Sequence, residues 1–230
     1  MNIEILHMTP GAAKAKGVTV IIDVFRAFSF ESWALNNGAE ATYPIADIDA
    51  AYELHKEHPD WMLAGERGGK KQEGFHFGNS PWEIHDLDLT GKSVVHTTSA
   101  GTQGLIAAEG ADCIFLGALV NAKATAEAIR RMNPEHVSLV AMGYNNLHPT
   151  EEDTFCAEYI RALLLNEPFD KEAAVKIMRE GPGARFFLPD KQSYQPEQDF
   201  HLCVEWDRFD FAIRAERLGG GRFRATKFEL

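Results

Sequence analysis

Short apolar runs alternate with amphipathic segments along most of this chain. The stretch 18–26, VTVIIDVFR, begins with a run of β-branched and aliphatic residues that is typical of a strand buried on both faces. Similar runs predict strands over Ala41–Pro44, Trp61–Ala64, Ser93–His96, Cys113–Leu116 and Val137–Met142. The segments between them predict helices over Phe28–Asn37, Asp47–His58, Gln103–Glu109, Ala122–Met132 and Thr154–Leu165. This alternation predicts a three-layer α/β fold, with a mostly parallel sheet and helices on both faces.

The pattern changes after about Pro168. A Glu-Gly-Pro-Gly turn at 180–183 is followed by the aromatic stretch around Phe-Phe-Leu-Pro at 186–189 and by an acidic, aromatic stretch over 199–211. These features indicate a smaller C-terminal lobe, or a cover over the sheet. We therefore expect a main α/β core over 1–167 and a smaller lobe over 168–230, with a single domain over 1–230 as the alternative. The glycines at 219–221 are expected to be a flexible exit.

Composition narrows the functional class. The chain has 230 residues, enough for a sizeable core, and its 23 Lys and Arg against 34 Asp and Glu give a formal charge of −11. That balance argues against nucleic-acid binding. No apolar run approaches ~20 residues, so no membrane span is expected. The start MNIEIL lacks the features of a signal peptide, which favours a cytoplasmic protein. Cys113, Cys156 and Cys203 are expected to be free, buried thiols.

Acidic residues follow several predicted strands. Asp23, Glu66 and Asp153 each lie near a point where a strand is expected to leave the sheet, which is where open α/β sheets bind ligands. Together they can supply oxygen ligands to Mg²⁺, alongside waters and substrate phosphate oxygens. Two plainer interpretations stay open, because Asp23 can be a helix cap and acids at 151–153 suit a first helical turn.

Hydrogen-bond donors that can bind an anion lie close to these acids in the sequence. Arg26 and Arg67 can each grip an anion with two hydrogen bonds. The hydroxyl-rich turn before the predicted helix at 103 offers further donors from Thr98, Ser99, Gly101 and Thr102. Acids, arginines and hydroxyls in these loops point to phosphate or sulfonate chemistry assisted by a divalent cation.

Several common sequence motifs of phosphate-binding proteins and phosphatases are absent. The chain has no G-x-x-x-x-G-K-[ST] loop. No cysteine has an arginine six positions later, and position 25, where a haloacid-dehalogenase phosphatase needs a second Asp, is Phe25. Only half of a G-x-S-x-G elbow surrounds Ser99, so a serine hydrolase is disfavoured.

Seven segments together resemble the 2-phosphosulfolactate phosphatase family. They are IDVFRA (22–27), AGERGG (64–69), GNSPWE (78–83), TTSAGT (97–102), GALVNA (117–122), EEDTFCAEY (151–159) and DRFDF (207–211). The resemblance runs from about Val18 to Phe211. It implies an α/β fold, Mg²⁺ dependence, and hydrolysis of (2R)-phospho-3-sulfolactate to sulfolactate and phosphate, a step toward coenzyme M. It also implies a homodimer.

The resemblance assigns roles to individual residues. Asp23, Glu66 and Asp153 would bind the metal or take part in catalysis, and Arg26 and Arg67 would hold the phosphate or sulfonate. Asn79, Ser80 and Asn121 would line the pocket, with a plain Asx turn as the alternative for the first two. The family often has Thr-Asn-Gly-Thr where this chain has Thr-Ser-Ala-Gly-Thr, with one residue more.

Three functions stay open at this stage. The first is the Mg²⁺-dependent phosphatase for 2-phosphosulfolactate, and the second is the same chemistry on another small phosphorylated 2-hydroxy acid. The third is a non-catalytic binder of organic anions, which the acids disfavour because they repel such a ligand. Whether water attacks phosphorus directly or Asp23 forms an aspartyl phosphate is also left open.

Overall fold

The structure is a computed structural model that describes residues 1–230, with ten strands and eight α-helices. The strands are β1 (Asn2–His7), β2 (Gly17–Ile22), β3 (Ala41–Pro44), β4 (Met62–Arg67), β5 (Lys70–Lys71), β6 (Ser93–Thr97), β7 (Ala111–Gly117), β8 (His136–Ala141), β9 (Ala212–Gly219) and β10 (Arg222–Phe228). The helices are α1 (Met8–Ala12), α2 (Ala27–Asn36), α3 (Ile48–Glu57), α4 (Gly101–Ala107), α5 (Ala122–Met132), α6 (Glu151–Leu165), α7 (Lys171–Glu180) and α8 (Glu197–Cys203). Short 3₁₀ helices lie over Pro81–Glu83, Leu119–Asn121, Pro182–Phe187 and Pro189–Lys191. None of the helices combines the length and apolar character needed to cross a membrane.

All strands belong to one sheet, in the order β1-β8-β2-β7-β9-β10-β3-β6-β4-β5. Strands β1, β8, β2 and β7 are parallel to one another, as are β3, β6 and β4. The antiparallel hairpin β9–β10 joins these two parallel groups. The predicted three-layer α/β fold with a mostly parallel sheet is therefore confirmed.

The C-terminal hairpin lies in the middle of the sheet. Strand β9 pairs with β7, and β10 pairs with β3, so residues 212–228 complete the central layer. The expectation of a flexible exit at Gly219–Gly221 is wrong, because these glycines make the turn of the hairpin, where all three have positive φ angles. The division into a core over 1–167 and a lobe over 168–230 stays a prediction. Within the smaller segment, the part before β9 and the last two residues lie outside the sheet's hairpin.

Side chains of β2 alternate between two apolar layers. Val18, Val20 and Ile22 pack with residues of α5, α6, α7 and α8. Ile21 packs on the opposite face with residues of α1, α2 and α4. Because both faces of this strand are covered, its sequence is almost continuously apolar. A third, smaller cluster packs α3 against the group formed by β3, β6 and β4.

Helix α4 connects the two halves of the sheet. It follows β6 in one half but packs on β2 in the other, where a Cβ atom at Gly104 would lie 2.9 Å from Ile21 and 2.4 Å from Met142. A glycine at this position therefore permits the close approach of helix and sheet. The packing of α4 brings the turn after β6 next to the end of β2, and the candidate site lies there.

Candidate active site

Asp23 lies directly after β2 and accepts two backbone hydrogen bonds. Its Oδ1 accepts from the Ala27 N–H at 3.3 Å, and its Oδ2 accepts from the Gly101 N–H at 2.9 Å. Gly101 can approach this closely because it has no side chain: a Cβ atom there would lie 2.9 Å from Asp23 Oδ2. Burial raises the pKa of Asp23 to about 6, and the charge of Glu66 acts in the same direction.

Asp153 lies in the first turn of α6 and joins two strand ends. Its Oδ1 accepts from the Val24 N–H at 2.7 Å, after β2, and its Oδ2 accepts from the Gly143 N–H at 2.8 Å, after β8. Burial raises the pKa of Asp153 well above its ordinary value, and the charges of Glu152 and Asp23 raise it further.

Glu66 lies near the end of β4 and holds the hydroxyl-rich turn. Its Oε1 accepts from the Ser99 N–H at 3.0 Å and from Ser99 Oγ at 2.8 Å. Its Oε2 accepts from the Gly69 N–H at 2.6 Å. The three predicted acids therefore each bind backbone N–H groups of two loops or turns, and this places their carboxylates in one cleft.

The cleft has a cavity of about 40 Å³ that opens to solvent. Sites for small ligands are typically clefts of this kind, with a few convergent polar groups. Seven of the predicted site residues line it, namely Asp23, Arg26, Glu66, Asn79, Thr98, Ser99 and Asp153. The structure thus brings together residues from five segments that are far apart in sequence.

The other five predicted site residues lie outside the cleft lining. Gly101 binds Asp23, as described, and Thr102 donates to the Thr98 carbonyl within its own turn. Ser80 Oγ donates to Asp199 Oδ1 at 2.6 Å. Asn121 accepts from the Ala118 N–H and donates to the Leu116 carbonyl, which closes the end of β7. These contacts are internal to the protein.

Arg67 also lies outside the cleft, contrary to the expectation that it faces the anion. Its Nη1 donates to the carbonyl of Glu66, and its Nη2 donates to the carbonyl of Ala46 and to Thr97 Oγ1, both at 2.8 Å. Adjacent residues of a strand point to opposite faces. Glu66 and Arg67 of β4 therefore cannot both point into the cleft.

Arg26 lines the cleft but is 3% exposed and donates to three protein groups. Its Nη1 binds the Tyr194 carbonyl at 2.8 Å and Asp199 Oδ2 at 2.6 Å, while its Nη2 binds the Gly69 carbonyl at 3.1 Å. Arg26 therefore ties the segment around 194–199 to the edge of the cleft.

Sequence reasoning missed several residues of the cleft, of which Glu152 and Arg185 are charged. Burial raises the pKa of Glu152 to about 7, against the opposing effect of the Arg185 charge. Glu152 belongs to the acidic cluster 151–153. The sequence pattern indicates a site at this cluster, but the prediction names only Asp153. Arg185, Tyr144 and Gln195 carried no such signal, because they lie outside the α-helices and the strands of the sheet.

Unpaired buried polar atoms concentrate in this cleft. Five of the fourteen such side-chain atoms in the protein belong to cleft residues: Asn79 Oδ1, Thr98 Oγ1, Glu152 Oε2, Arg185 Nε and Gln195 Oε1. Buried polar atoms in folded proteins nearly always have a partner, so such a concentration indicates a site for water, an ion or a polar ligand.

The arrangement offers oxygen ligands to a hard cation. Both oxygens of Asp23 and of Asp153, and Oε2 of Glu66, accept one hydrogen bond each and keep a further lone pair, while Glu152 Oε2 has no partner. No three carboxylates, thiols or imidazoles are arranged to hold a metal ion by themselves. This donor set fits Mg²⁺, which uses one or two carboxylates and completes its shell with waters and phosphate oxygens. The assignment of Asp23, Glu66 and Asp153 as its ligands stays a prediction.

Comparison with known proteins agrees with the resemblance found in the sequence. A protein-family model described as 2-phosphosulpholactate phosphatase matches residues 4–216. A probable 2-phosphosulfolactate phosphatase of Prochlorococcus marinus (strain MIT 9303) is 36% identical over 210 residues, covering 82% of this chain and 85% of that protein. The protein of the same name from Bacillus subtilis (strain 168) is 28% identical over 207 residues, covering 88% of each chain.

A further relative is more similar over a shorter alignment. The probable 2-phosphosulfolactate phosphatase of Caldicellulosiruptor saccharolyticus is 41% identical over 150 residues, which is 64% of this chain and 62% of that protein. The family match extends from β1 to β9 and includes every acid and arginine of the cleft. The chain belongs to the 2-phosphosulfolactate phosphatase family, a family of phosphoric monoester hydrolases.

Proposed function

We propose that this protein is a Mg²⁺-dependent phosphatase that hydrolyses (2R)-phospho-3-sulfolactate to 3-sulfolactate and phosphate, a step toward coenzyme M. One observation carries the proposal. In a chain of this family, four buried carboxylates converge in a cleft that also contains buried polar atoms without partners. Such a cleft suits a cation and a polar ligand together, which supports the proposal.

The charge of the cleft supports the involvement of a cation. Asp23, Glu66, Glu152 and Asp153 face only two arginines, and Arg26 is already paired with Asp199. A substrate with a phosphate, a sulfonate and a carboxylate group would be repelled by these carboxylates unless a cation compensated for them. The same imbalance disfavours a protein that binds organic anions without a metal. When bound, Mg²⁺ would polarise the phosphoryl group and neutralise charge on its oxygens.

The cleft residues themselves provide fixed acceptors and donors. Asp23, Glu66 and Asp153 are held by backbone N–H groups, so their carboxylates need little rearrangement when a ligand binds. The hydroxyl of Thr98 has no partner and is free to donate to an anionic oxygen. The free amide oxygens of Asn79 and Gln195 are suited to accept hydrogen bonds from water.

Phosphate release from a panel of substrates tests the proposal. The panel contains phosphosulfolactate, 2-phospholactate and 2-phosphoglycerate, each measured with Mg²⁺ and with a chelator. We expect Mg²⁺-dependent turnover that is fastest with the sulfonated substrate. Fastest turnover with an unsulfonated 2-phospho acid would favour the second function, and no turnover of any of them would refute both.

The homodimer is a separate proposal that rests on the family resemblance. Sedimentation equilibrium is the appropriate test, because it gives the mass in solution without reference to shape. We expect a mass of twice 25.6 kDa. A single species at 25.6 kDa over a range of concentrations would contradict it.

A further inference from the structure

Two of the three arginines near the cleft are bound to the protein itself. Arg26 donates to two carbonyls and to Asp199, and Arg67 donates to two carbonyls and to Thr97. The charge of Arg26 is already paired with Asp199, and Arg67 lies outside the cleft lining. An anionic substrate therefore needs a cationic partner elsewhere.

Arg185 differs from both in its free hydrogen-bonding capacity. It lies in the 3₁₀ helix Pro182–Phe187 and lines the cleft, and its Nη2 donates to the Phe25 carbonyl at 3.0 Å. Its Nε is buried and has no partner. The other four N–H groups of the guanidinium make no hydrogen bond to the protein, and a planar guanidinium can bind two oxygens of one anionic group.

Aromatic rings hold the guanidinium of Arg185 in place. Its Cζ lies 5.1 Å from the centroid of the Phe186 ring, 5.2 Å from that of Tyr144 and 5.9 Å from that of Phe25. Such contacts stabilise a cation and restrict its rotamers without using its hydrogen-bond donors. Arg185 is thus oriented and still able to bind a ligand.

The difference in exposure between the carboxylates and Arg185 indicates which part of a substrate Arg185 contacts. Asp23, Glu66 and Asp153 are at most 7% exposed and form the floor of the cleft. Arg185 is only partly buried, and its neighbour Tyr144 is 42% exposed, which places this wall nearer the opening. A substrate whose phosphoryl group lies at the carboxylate floor would extend its other end toward Arg185.

We propose that Arg185 binds the acid group at the non-transferring end of the substrate, a sulfonate or a carboxylate, and so selects for doubly acidic phosphate esters. The inference rests on the proposed function for the orientation of the substrate. It assigns Arg26 and Arg67 to positioning of the loops instead of to the anion. Arg185 is a binding residue, because it is the arginine of the cleft that has no carboxylate partner and donates only one hydrogen bond to the protein.

Binding of the product 3-sulfolactate, which lacks the phosphoryl group, tests this directly. Titration calorimetry is carried out with Arg185→Gln and Arg185→Lys, and KM and kcat are measured with phosphosulfolactate and with 2-phospholactate. We expect both variants to weaken sulfolactate binding and to raise KM by about 10- to 100-fold, with kcat changed less than about threefold. Arg179→Gln is the matched control, because Arg179 packs on the ring of Phe187 at 4.0 Å and does not line the cleft.

The two substrates identify the group that is bound. A rise in KM for phosphosulfolactate alone assigns Arg185 to the sulfonate, and a rise for both substrates assigns it to the carboxylate. Unchanged sulfolactate affinity in both variants would overturn the proposal, and so would a fall in kcat without a change in KM. A melting temperature close to that of the control shows that a variant is folded. If the glutamine variant is not folded, the lysine variant, which retains the positive charge, provides the test.

Failure of this inference can be distinguished from failure of the proposed function. If the wild-type protein releases phosphate but neither variant changes sulfolactate binding or KM, the inference fails and the phosphatase stands. If sulfolactate binds through Arg185 but no phosphate is released from any substrate, the anion site stands and the phosphatase fails. If the wild-type protein does not bind sulfolactate, the inference is overturned.

Discussion

Arg26 and Asp199 form a buried ion pair, with Arg26 Nη1 2.6 Å from Asp199 Oδ2 and side chains 3% and 0% exposed. Asp199 also accepts hydrogen bonds from Ser80 Oγ and from the Trp82 N–H. The pair therefore joins the turn after β2 to α8 and to the 3₁₀ helix Pro81–Glu83. Three segments that border the cleft depend on one pair of charges.

Breaking this pair should destabilise the protein strongly. We expect Arg26→Met and Asp199→Asn each to lower the free energy of unfolding by about 3–5 kcal/mol, because each leaves a buried charge without its partner. Urea denaturation of both single variants and of the double variant measures this. The double variant should lose less than the sum of the two, and strict additivity would show that the pair does not act as a unit.

Neutralising the acids at the floor of the cleft should reduce turnover. We expect Asp23→Asn and Glu66→Gln each to lower kcat by about 10²-fold or more, since a catalytic metal supplies several kcal/mol of transition-state stabilisation. Asp23→Asn should also lower stability by about 1–3 kcal/mol, because an amide cannot accept from both the Ala27 and Gly101 N–H groups. Near-normal turnover of either variant at saturating Mg²⁺ would contradict the assigned role. Asn121→Ser, outside the cleft, is a control for loss of a buried polar contact.

The stability of the metal-free protein should fall as pH rises. Burial raises the pKa of Asp23 from 3.8 to about 6 and that of Glu152 from 4.5 to about 7. Between pH 4 and pH 7 the folded protein therefore binds more protons at these groups than the unfolded chain does. Their contribution to stability is fully present below about pH 4 and is lost as pH rises through the folded pKa values, by an amount on the order of a few kcal/mol.

Mg²⁺ should offset this loss. We expect Mg²⁺ to raise Tm more at pH 8 than at pH 5, because only ionised carboxylates bind it well. Differential scanning calorimetry across this pH range, with Mg²⁺ and with chelator, measures the effect. The Asp23→Asn/Glu152→Gln variant should show a flatter pH dependence and a smaller response to Mg²⁺. A wild-type Tm that does not respond to Mg²⁺ at pH 8 would count against the metal site.

Cys156 should not act as a nucleophile although it lies in the same helix as Asp153. It is fully buried, and burial together with the Asp153 charge raises the pKa of its thiol well above 9.0. We expect Cys156→Ser to retain at least about a tenth of wild-type kcat, with the loss arising from packing. Cys113→Ser, on β7, is the matched control. Complete inactivity of a folded Cys156→Ser protein, or a trapped phosphocysteine, would overturn a mechanism without this thiol.

The local pattern was sufficient to predict most of the parallel strands and their helices. Ala41–Pro44 and Ala122–Met132 match the structure residue for residue. The hairpin β9–β10 was missed, because its alternation of apolar and charged residues is weak and its pairing partners β7 and β3 lie far away in the sequence. Strand order depends on such long-range pairing, which periodicity does not report.

The sequence by itself determined the α/β class, the family and the three acids that meet at the cleft. Those acids were recognisable because they follow buried strands, and strand ends are where such folds place ligands. The tertiary structure decided what each polar side chain is used for. Arg26 and Arg185 both line the cleft, yet Arg26 donates to Asp199 and two carbonyls while Arg185 donates to a single carbonyl. Hydrogen-bond saturation is a property of three-dimensional neighbours, so no spacing along the chain reports it.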